Sequence, residues 1–322
     1  MTVNAPHVVL GAGPVGSTIA SQLVEAGETV TVVTRSGRDP RIAGVTSARA
    51  DITDPAAVRA VTNGARVVYF AAQPVYTNWP NGFPPLVDGV LGGLRGTGVR
   101  LVVVDNLYLY GPTGGAPIRE DLPAAATNRK GRARALVAER FMAAHRSGDV
   151  RVGIARASDF FGPARIESLV GDRFFGPILA GKSVQAIGDP DMPHSVTYVP
   201  DFARVLIEIG RREAALGEVW HVPSAPAVSI RRLSELVAEA AGVASPKVSA
   251  VPPAMLRIAG VFIPTIRELV EMKYEFDEPY ILEASKTEAA LGLRSTPFEV
   301  SIPATVAWWR EESATSPNRK AA

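Results

Sequence analysis

Three glycines stand in register in Val8-Val-Leu-Gly11-Ala-Gly13-Pro14-Val15-Gly16. The β-branched run before them predicts a strand and the Ala-rich stretch after them predicts a helix. That is the setting in which G-x-G-x-x-G holds a dinucleotide. Gly11 permits the tight turn, Gly13 lets a pyrophosphate approach the backbone, and Gly16 lets helix and strand pack closely. The helix start offers partial positive charge and free N–H groups from Val15 onward to phosphate, with Pro14 setting the first turn. An ordinary β-turn-α unit can carry the same glycines. The second strand that follows favours the dinucleotide. It ends Val33-Thr34-Arg35-Ser36, with no acidic residue to take a ribose 2′-hydroxyl. Arg35 and Ser36 instead form a cationic, hydroxyl-bearing pocket suited to a 2′-phosphate, so NADP(H) is expected in preference to NAD(H).

The elements that must position this turn alternate along the first half of the chain. Strands are predicted at 7–11, 29–34, 47–50, 67–71, 100–105 and 150–155. Helices are predicted at 15–26, 55–62, 85–96 and 132–145. Uninterrupted apolar runs such as Leu101-Val-Val-Val104 suit a parallel sheet covered on both faces. The expected fold class is therefore α/β, a Rossmann-type doubly wound parallel sheet with a smaller C-terminal substrate-binding lobe. The expected division is an NAD(P)-binding domain over 1–165 and a mainly substrate-binding lobe over 166–312. A late strand at 218–222 returns to the sheet, helices are predicted at 230–242 and 302–312, and residues 313–322 form a disordered tail.

Composition narrows the function classes. Lys plus Arg number 34 against 32 Asp plus Glu, a net charge of +2, which leaves no electrostatic footprint for nucleic acid or an anionic membrane. Cysteine is absent, which excludes disulfides, thiolate metal sites and Cys nucleophiles. Four histidines without matched spacing give no metal site. No signal-peptide pattern opens the chain and no apolar run is long enough to span a bilayer. A cytoplasmic protein acting on a small molecule is expected.

From about residue 7 to 311 the chain resembles the extended short-chain dehydrogenase/reductase superfamily, which includes nucleotide-sugar epimerases and dehydratases. Asp51-Ile52 is similar to the family's acidic-apolar pair beside the adenine. Ala71-Ala72-Gln73 is similar to its strand-four loop under the cofactor. Leu107-Tyr108-Leu-Tyr110-Gly111, Arg156…Phe160-Phe161-Gly162-Pro163 and Thr197-Tyr198-Val-Pro-Asp201 match three further segments. The glycine spacing departs from the family's G-x-x-G-x-x-G, because Leu10 holds its first position. The resemblance implies a Tyr-x-x-x-Lys pair and a Ser or Thr on strand five. None of the seven tyrosines has a lysine four residues on. With Glu139 aligned to the acid of that helix, the Tyr position falls on Gly131, the Lys position on Ala135 and the Ser position on Asn106.

Hydride transfer still requires a proton partner for the substrate oxygen. In an extended segment Asn106, Tyr108 and Tyr110 would share one side. Asn106 would polarise a carbonyl, Tyr108 would donate the proton, and the cation of Lys130 would lower its phenol pKa. The alternative is that Tyr110 packs in the core and the basic run Arg129–Arg134 is a solvated helix start or a phosphate clamp. On the substrate side the sequence offers Tyr76, Trp79, Phe160, Phe161, His194 and Tyr198, with core packing as the competing explanation for the aromatics. An NAD(P)-dependent oxidoreductase or epimerase/dehydratase acting on a carbonyl or hydroxyl of a small or sugar-like substrate is the leading reading. A non-catalytic NADP(H)-binding sensor is the second. A ketopantoate-type reductase fits the glycine turn but not the segments after residue 50. In the superfamily, pairing runs through the helices at 85–96 and 132–145. Glycines at 89, 92 and 93 and like charges at 129, 130, 132 and 134 point here to a monomer or weak homodimer.

Overall fold

The computed structural model describes residues 6–164, 168 and 170–315. In chain order the first half comprises β1 (His7–Leu10), α1 (Pro14–Glu25), β2 (Val30–Thr34), β3 (Val45–Arg49), α2 (Pro55–Val61), β4 (Val67–Phe70), α3 (Trp79–Leu94), β5 (Arg100–Asn106), α4 (Arg129–Arg146) and β6 (Arg151–Ala157). The second half comprises β7 (Asp159–Phe161), α5 (Asp172–Leu179), β8 (Val184–Ala186), β9 (Val196–Tyr198), α6 (Val199–Arg211), β10 (Val219–His221), α7 (Ile230–Ala241), β11 (Val248–Ala250), α8 (Pro253–Phe262), α9 (Pro264–Glu271), α10 (Ser285–Leu291) and α11 (Phe298–Thr315).

Seven strands form one sheet in the order β10-β6-β5-β4-β1-β2-β3, and every pairing is parallel. Its inner strands are largely apolar because both faces are covered, whereas the edge strand β3, Val-Thr-Ser-Ala-Arg, is partly exposed. Val8, Leu10, Phe70, Leu101 and Val103 meet the layer that includes α2, α3 and α4. Val9, Val32, Tyr69, Val102 and Val104 meet the layer that includes α1 and α6. Successive strand residues point to opposite faces, so one apolar run feeds two cores. Chain order reverses between β1 and β4, which places a crevice at their carboxyl ends. A third core, with Phe161, Phe174, Phe175, Val237 and Trp309, forms the smaller lobe.

Caps explain several boundaries. Asp54 accepts from the Ala56 amide at 2.9 Å and Ser229 from that of Arg232 at 3.1 Å. Asn128 accepts from the Gly131 amide at 2.6 Å, which starts α4 three residues before the predicted 132. Helix α3 begins at Trp79, well before the predicted 85, because Pro80 occupies its first turn where no amide bond is lost. Beyond the predicted late strand, α6 also returns from the second half: it covers the sheet beside α1, where Gln22 Nε2 donates to the Pro200 carbonyl at 3.0 Å. Residues 313–315 continue α11, contrary to the expected tail from 313, and the rest of that tail lies outside the described residues. Among the described residues no helix is long and apolar enough to cross a membrane.

Candidate active site

At the carboxyl ends of β1 and β4 lies a cleft of about 780 Å³. The glycine turn forms its floor. Gly11 takes a positive φ of 112°, and a Cβ there would stand 2.8 Å from the Ala72 amide nitrogen. A Cβ on Gly16 would stand 2.2 Å from the Gly11 carbonyl oxygen. Gly13 is different: nothing lies within 4 Å of its Cβ position, so the open space is the cleft itself. Gly13 is also the N-cap of α1 without a side-chain cap, which leaves first-turn N–H groups available to phosphate. At the carboxyl end of β2 the buried Thr34 hydroxyl lies beside the cleft without a hydrogen-bond partner. An open wall, uncapped amides and an orphan hydroxyl fit a dinucleotide.

Gly11, Gly13, Pro14, Val15, Arg35, Asp51, Ile52, Ala71, Ala72 and Gln73 all line this cleft. Gly16 stands behind the turn as the packing glycine, and the Ser36 hydroxyl turns to the Arg38 amide at 3.3 Å. Asp51 accepts from the Thr53 amide at 3.0 Å and its hydroxyl at 2.8 Å. Those bonds, with a smaller contribution from Arg35, hold its carboxyl below the usual range. Sequence reasoning missed Thr34, Ala50, Asn78, Gly82 and Leu86, which also line the cleft. The signal for Thr34 was its place just before Arg35. The last three belong to the stretch whose helix starts earlier than expected.

The deep end of the cleft is aromatic. Tyr76, Trp79 and Phe160 line it. Tyr76 packs edge-on against Trp79 at 5.2 Å, and Tyr108 stacks on the same ring at 5.8 Å. Three sequence-derived placements need correction. Phe161 is buried in the lobe core against Phe175, Tyr198 and Phe298, and Tyr198 packs on it rather than on the cleft. His194 is buried between Phe276 and Tyr280. Neither Phe161, Tyr198 nor His194 lines the cleft.

The proposed triad of Asn106, Tyr108 and Lys130 also changes. Strand β5 ends at Asn106 and Tyr108–Tyr110 form a 3-10 turn, so the three side chains do not alternate along one edge. Asn106 accepts from the Tyr108 amide at 3.3 Å, a turn-forming role. Tyr110 is structural: it accepts from Arg156 Nη1 at 2.7 Å and donates to His221 Nε2 at 2.8 Å. Lys130 is not solvated but fully buried. Its ammonium pairs with Glu268 of α9 at 3.0 Å, donates to the Tyr76 carbonyl, and lies over the Tyr76 ring, 3.7 Å from its centroid. Burial pulls its pKa down against the pull of Glu268. It does not lower the Tyr108 phenol, which burial and the neighbouring Tyr76, Glu275 and Asp159 push well above the ordinary value.

The position aligned with the family tyrosine is closed. A Cβ on Gly131 would lie 2.2 Å from the Ala126 Cβ and 2.5 Å from the Tyr108 carbonyl oxygen. The missing phenol is thus compensated sterically by the backbone of the 3-10 turn, and other phenols fill the site. Tyr76 and Tyr108 share a hydrogen bond that favours charge on Tyr76 and disfavours it on Tyr108. Burial, then Glu275, raises the Tyr76 phenol pKa. Behind them the carboxyl of Glu275 is fully buried with Tyr274 and Tyr280 against it. Asp159 meets His194 Nε2 at 3.1 Å, while His194 Nδ1 faces the Glu275 carbonyl oxygen at 3.1 Å. A carbonyl only accepts, so Nδ1 carries hydrogen and donates there. Among the described residues no cluster of His, Asp or Glu is arranged to hold a metal.

A doubly wound parallel sheet, a glycine turn under a cleft at its switch point and an aromatic pocket beside it define a nucleotide-binding α/β protein of the Rossmann type. The profile of the NAD dependent epimerase/dehydratase family matches residues 7–222, and the chain belongs to that family. No curated protein matches it. Among solved structures, an epimerase of Methanothermobacter thermautotrophicus is 18% identical with a TM-score of 0.81, covering 98% of this chain and 95% of that one. A dTDP-glucose 4,6-dehydratase double mutant from Streptomyces venezuelae, solved with NAD, is 20% identical with a TM-score of 0.77, covering 96% and 98%. A UDP-glucose 4-epimerase from Thermotoga maritima, solved with UDP-glucose, is 18% identical with a TM-score of 0.77, covering 95% and 99%. At these identities the likeness concerns the fold.

Proposed function

We propose that this protein is a cytoplasmic NAD(P)-dependent oxidoreductase of the epimerase/dehydratase type, acting on a carbonyl or hydroxyl group of a small or sugar-like molecule. The observation that carries the reading is one continuous cleft running from the uncapped glycine turn to Tyr76. Similarity to a dehydratase solved with NAD and an epimerase solved with UDP-glucose supports the cofactor and substrate classes. When bound, the nicotinamide supplies or accepts hydride. Gly11 to Val15 hold the pyrophosphate, Asp51 and Ile52 flank the adenine, and Ala71 to Gln73 pass beneath the cofactor. Arg35, exposed at the rim, favours a 2′-phosphate, so NADP(H) is the preferred form. Trp79 and Phe160 enclose the substrate.

Tyr76 takes the proton-transfer role at the substrate oxygen. Tyr108 holds that phenol by its hydrogen bond, and Lys130 fixes the Tyr76 ring and backbone. The protein is a monomer or weak homodimer. Lys130 and Arg134 are buried and so repel nothing across an interface, but Arg129 and Arg132 remain on α4. The test is Tyr76→Phe and Tyr108→Phe in a screen of carbonyl and nucleotide-sugar substrates with NADPH. Tyr76→Phe lowers kcat by roughly 10²–10⁴-fold, the usual worth of general acid catalysis, with cofactor affinity unchanged. Full turnover by both variants would remove the phenol pair from the chemistry. NADPH binding without turnover on any substrate would favour the sensor.

A further inference from the structure

Four of the seven tyrosines converge behind the deep end of the cleft, from four separate segments: Tyr76 before α3, Tyr108 after β5, Tyr274 in the 3-10 turn Lys273–Phe276, and Tyr280. Glu275 sits among them with 2% of its surface exposed. Its Oε1 and the hydroxyls of Tyr274 and Tyr280 complete no aligned hydrogen bond, three buried polar atoms left over in one place. A buried carboxylate would demand a cation. Among the described residues the two lysines of this region are committed elsewhere, Lys130 to Glu268 and the Tyr76 carbonyl, and Lys273 to Asp277. What faces Glu275 is a second carboxyl, Asp159 of β7, tied to His194, and the phenols. Burial first and the facing carboxyl second favour the uncharged acid, and they outweigh the phenols, which favour the carboxylate.

We propose that Glu275 is a positioning residue for proton donation: uncharged behind the Tyr76–Tyr108 pair, it leaves the site free to bear the transient negative charge that donation puts on Tyr76, and its ionisation switches donation off. This rests on the oxidoreductase reading and gives it a direction, the reduction of a carbonyl. A bound reduced nicotinamide would supply the hydride for the carbonyl carbon. The carbonyl oxygen takes the proton of the Tyr76 hydroxyl, whose O–H bond breaks as the new O–H bond forms. Tyr76, lining the open cleft, recovers a proton from water, and Tyr108 donates its hydrogen bond to the phenolate meanwhile. Burial, then Asp159, raises the Glu275 carboxyl well above its ordinary pKa against the hydrogen bonds of Tyr280 and Tyr274, and burial raises the phenols as well. A carboxyl is intrinsically a far stronger acid than a phenol, so the ionisation of Glu275 is the one expected on the alkaline limb of the rate.

The experiment uses the full chain and two readouts, thermal melting and the pH–rate profile of carbonyl reduction with NADPH. A carboxyl raised by folding destabilises the native state progressively above its unfolded pKa, so the melting temperature of Glu275→Gln rises relative to wild type from pH 5 to pH 9. In the rate profile, wild-type kcat falls tenfold per pH unit on the alkaline limb. Glu275→Gln keeps kcat at pH 7 within about threefold of wild type and loses that limb, because the amide is a neutral isostere. If the amide variant fails to fold, Glu275→Met serves the melting arm with the same expected trend. A melting difference independent of pH, or an alkaline limb retained in Glu275→Gln, overturns the proposal. Loss of wild-type turnover with the melting trend intact contradicts the oxidoreductase reading and removes the catalytic role while leaving the uncharged acid standing.

Discussion

At the scale of single residues, the cofactor end and the chemical end of the cleft follow different logic. The glycines are fixed by contact distances: a Cβ at Gly16 collides with the backbone of Gly11, while one at Gly13 meets only the cleft. Arg35 stands exposed where an acidic residue would take a ribose hydroxyl. A charge-assisted contact to a 2′-phosphate at this position gives NADPH about tenfold tighter binding than NADH, and Arg35→Asp erases or reverses that preference. Paired titrations of both cofactors into wild type and variant read this directly, and equal wild-type dissociation constants would rule it out. The glycine turn was legible in the sequence because its requirements are local. The phenol cluster was not, because Tyr76, Tyr108, Tyr274 and Tyr280 meet only through the fold. Tyr76 was expected to contact substrate, but its union with Tyr108 depends on β5 ending at Asn106 rather than continuing.

At the scale of elements, α4 and α9 are joined by a buried ion pair. Lys130 is fully buried, Glu268 is 3% exposed, and they meet at 3.0 Å. Removing one partner of such a pair strands the other's charge, at a cost of about 3–5 kcal/mol, whereas an apolar replacement of both is near neutral. Glu268→Ala therefore destabilises the protein strongly in denaturant titrations, and Glu268→Leu combined with Lys130→Met restores most of the loss. Equal destabilisation by the single and double variants would show that the pair does not act as a unit. Strand and helix types were readable from apolar runs and periodicity, and the sheet strands fell where expected. The burial of Lys130 and Arg134 was not readable. A basic run at a helix start looks solvated until α9 supplies Glu268 from 138 residues away, and β5 supplies Asp105 at 3.5 Å from Arg134. The glycines of α3 likewise read as helix weakeners but serve close packing, since a Cβ on Gly89 would meet the Ile52 carbonyl oxygen at 2.1 Å.

At the scale of the whole molecule, stability depends on histidines held neutral in the core. His221, fully buried, donates through Nδ1 to the Glu283 carbonyl at 2.9 Å and accepts from Tyr110 through Nε2. Burial, with Arg156 nearby, lowers its pKa from 6.5 to about 4. His7 is lowered to about 4 by burial as well. An unfolded chain binds protons at these sites that the native state refuses. Stability from each is complete above pH 6.5 and is lost as pH falls towards 4, by about 3 kcal/mol for His221. Urea titrations between pH 7 and pH 4 should show this decline, and His221→Asn should flatten part of it. A wild-type stability constant over that window would contradict the assignment.

The central claim is that the glycine turn and its cleft hold a nicotinamide dinucleotide. Calorimetric titration of NADPH into wild type and Gly13→Val tests it most directly, with thermal melting of both proteins as the control for folding. The open space at Gly13 predicts that the valine variant melts close to wild type, since its side chain enters the cleft, and that it no longer binds NADPH because that side chain occupies the pyrophosphate's place. A folded Gly13→Val protein that binds NADPH as tightly as wild type would contradict the account.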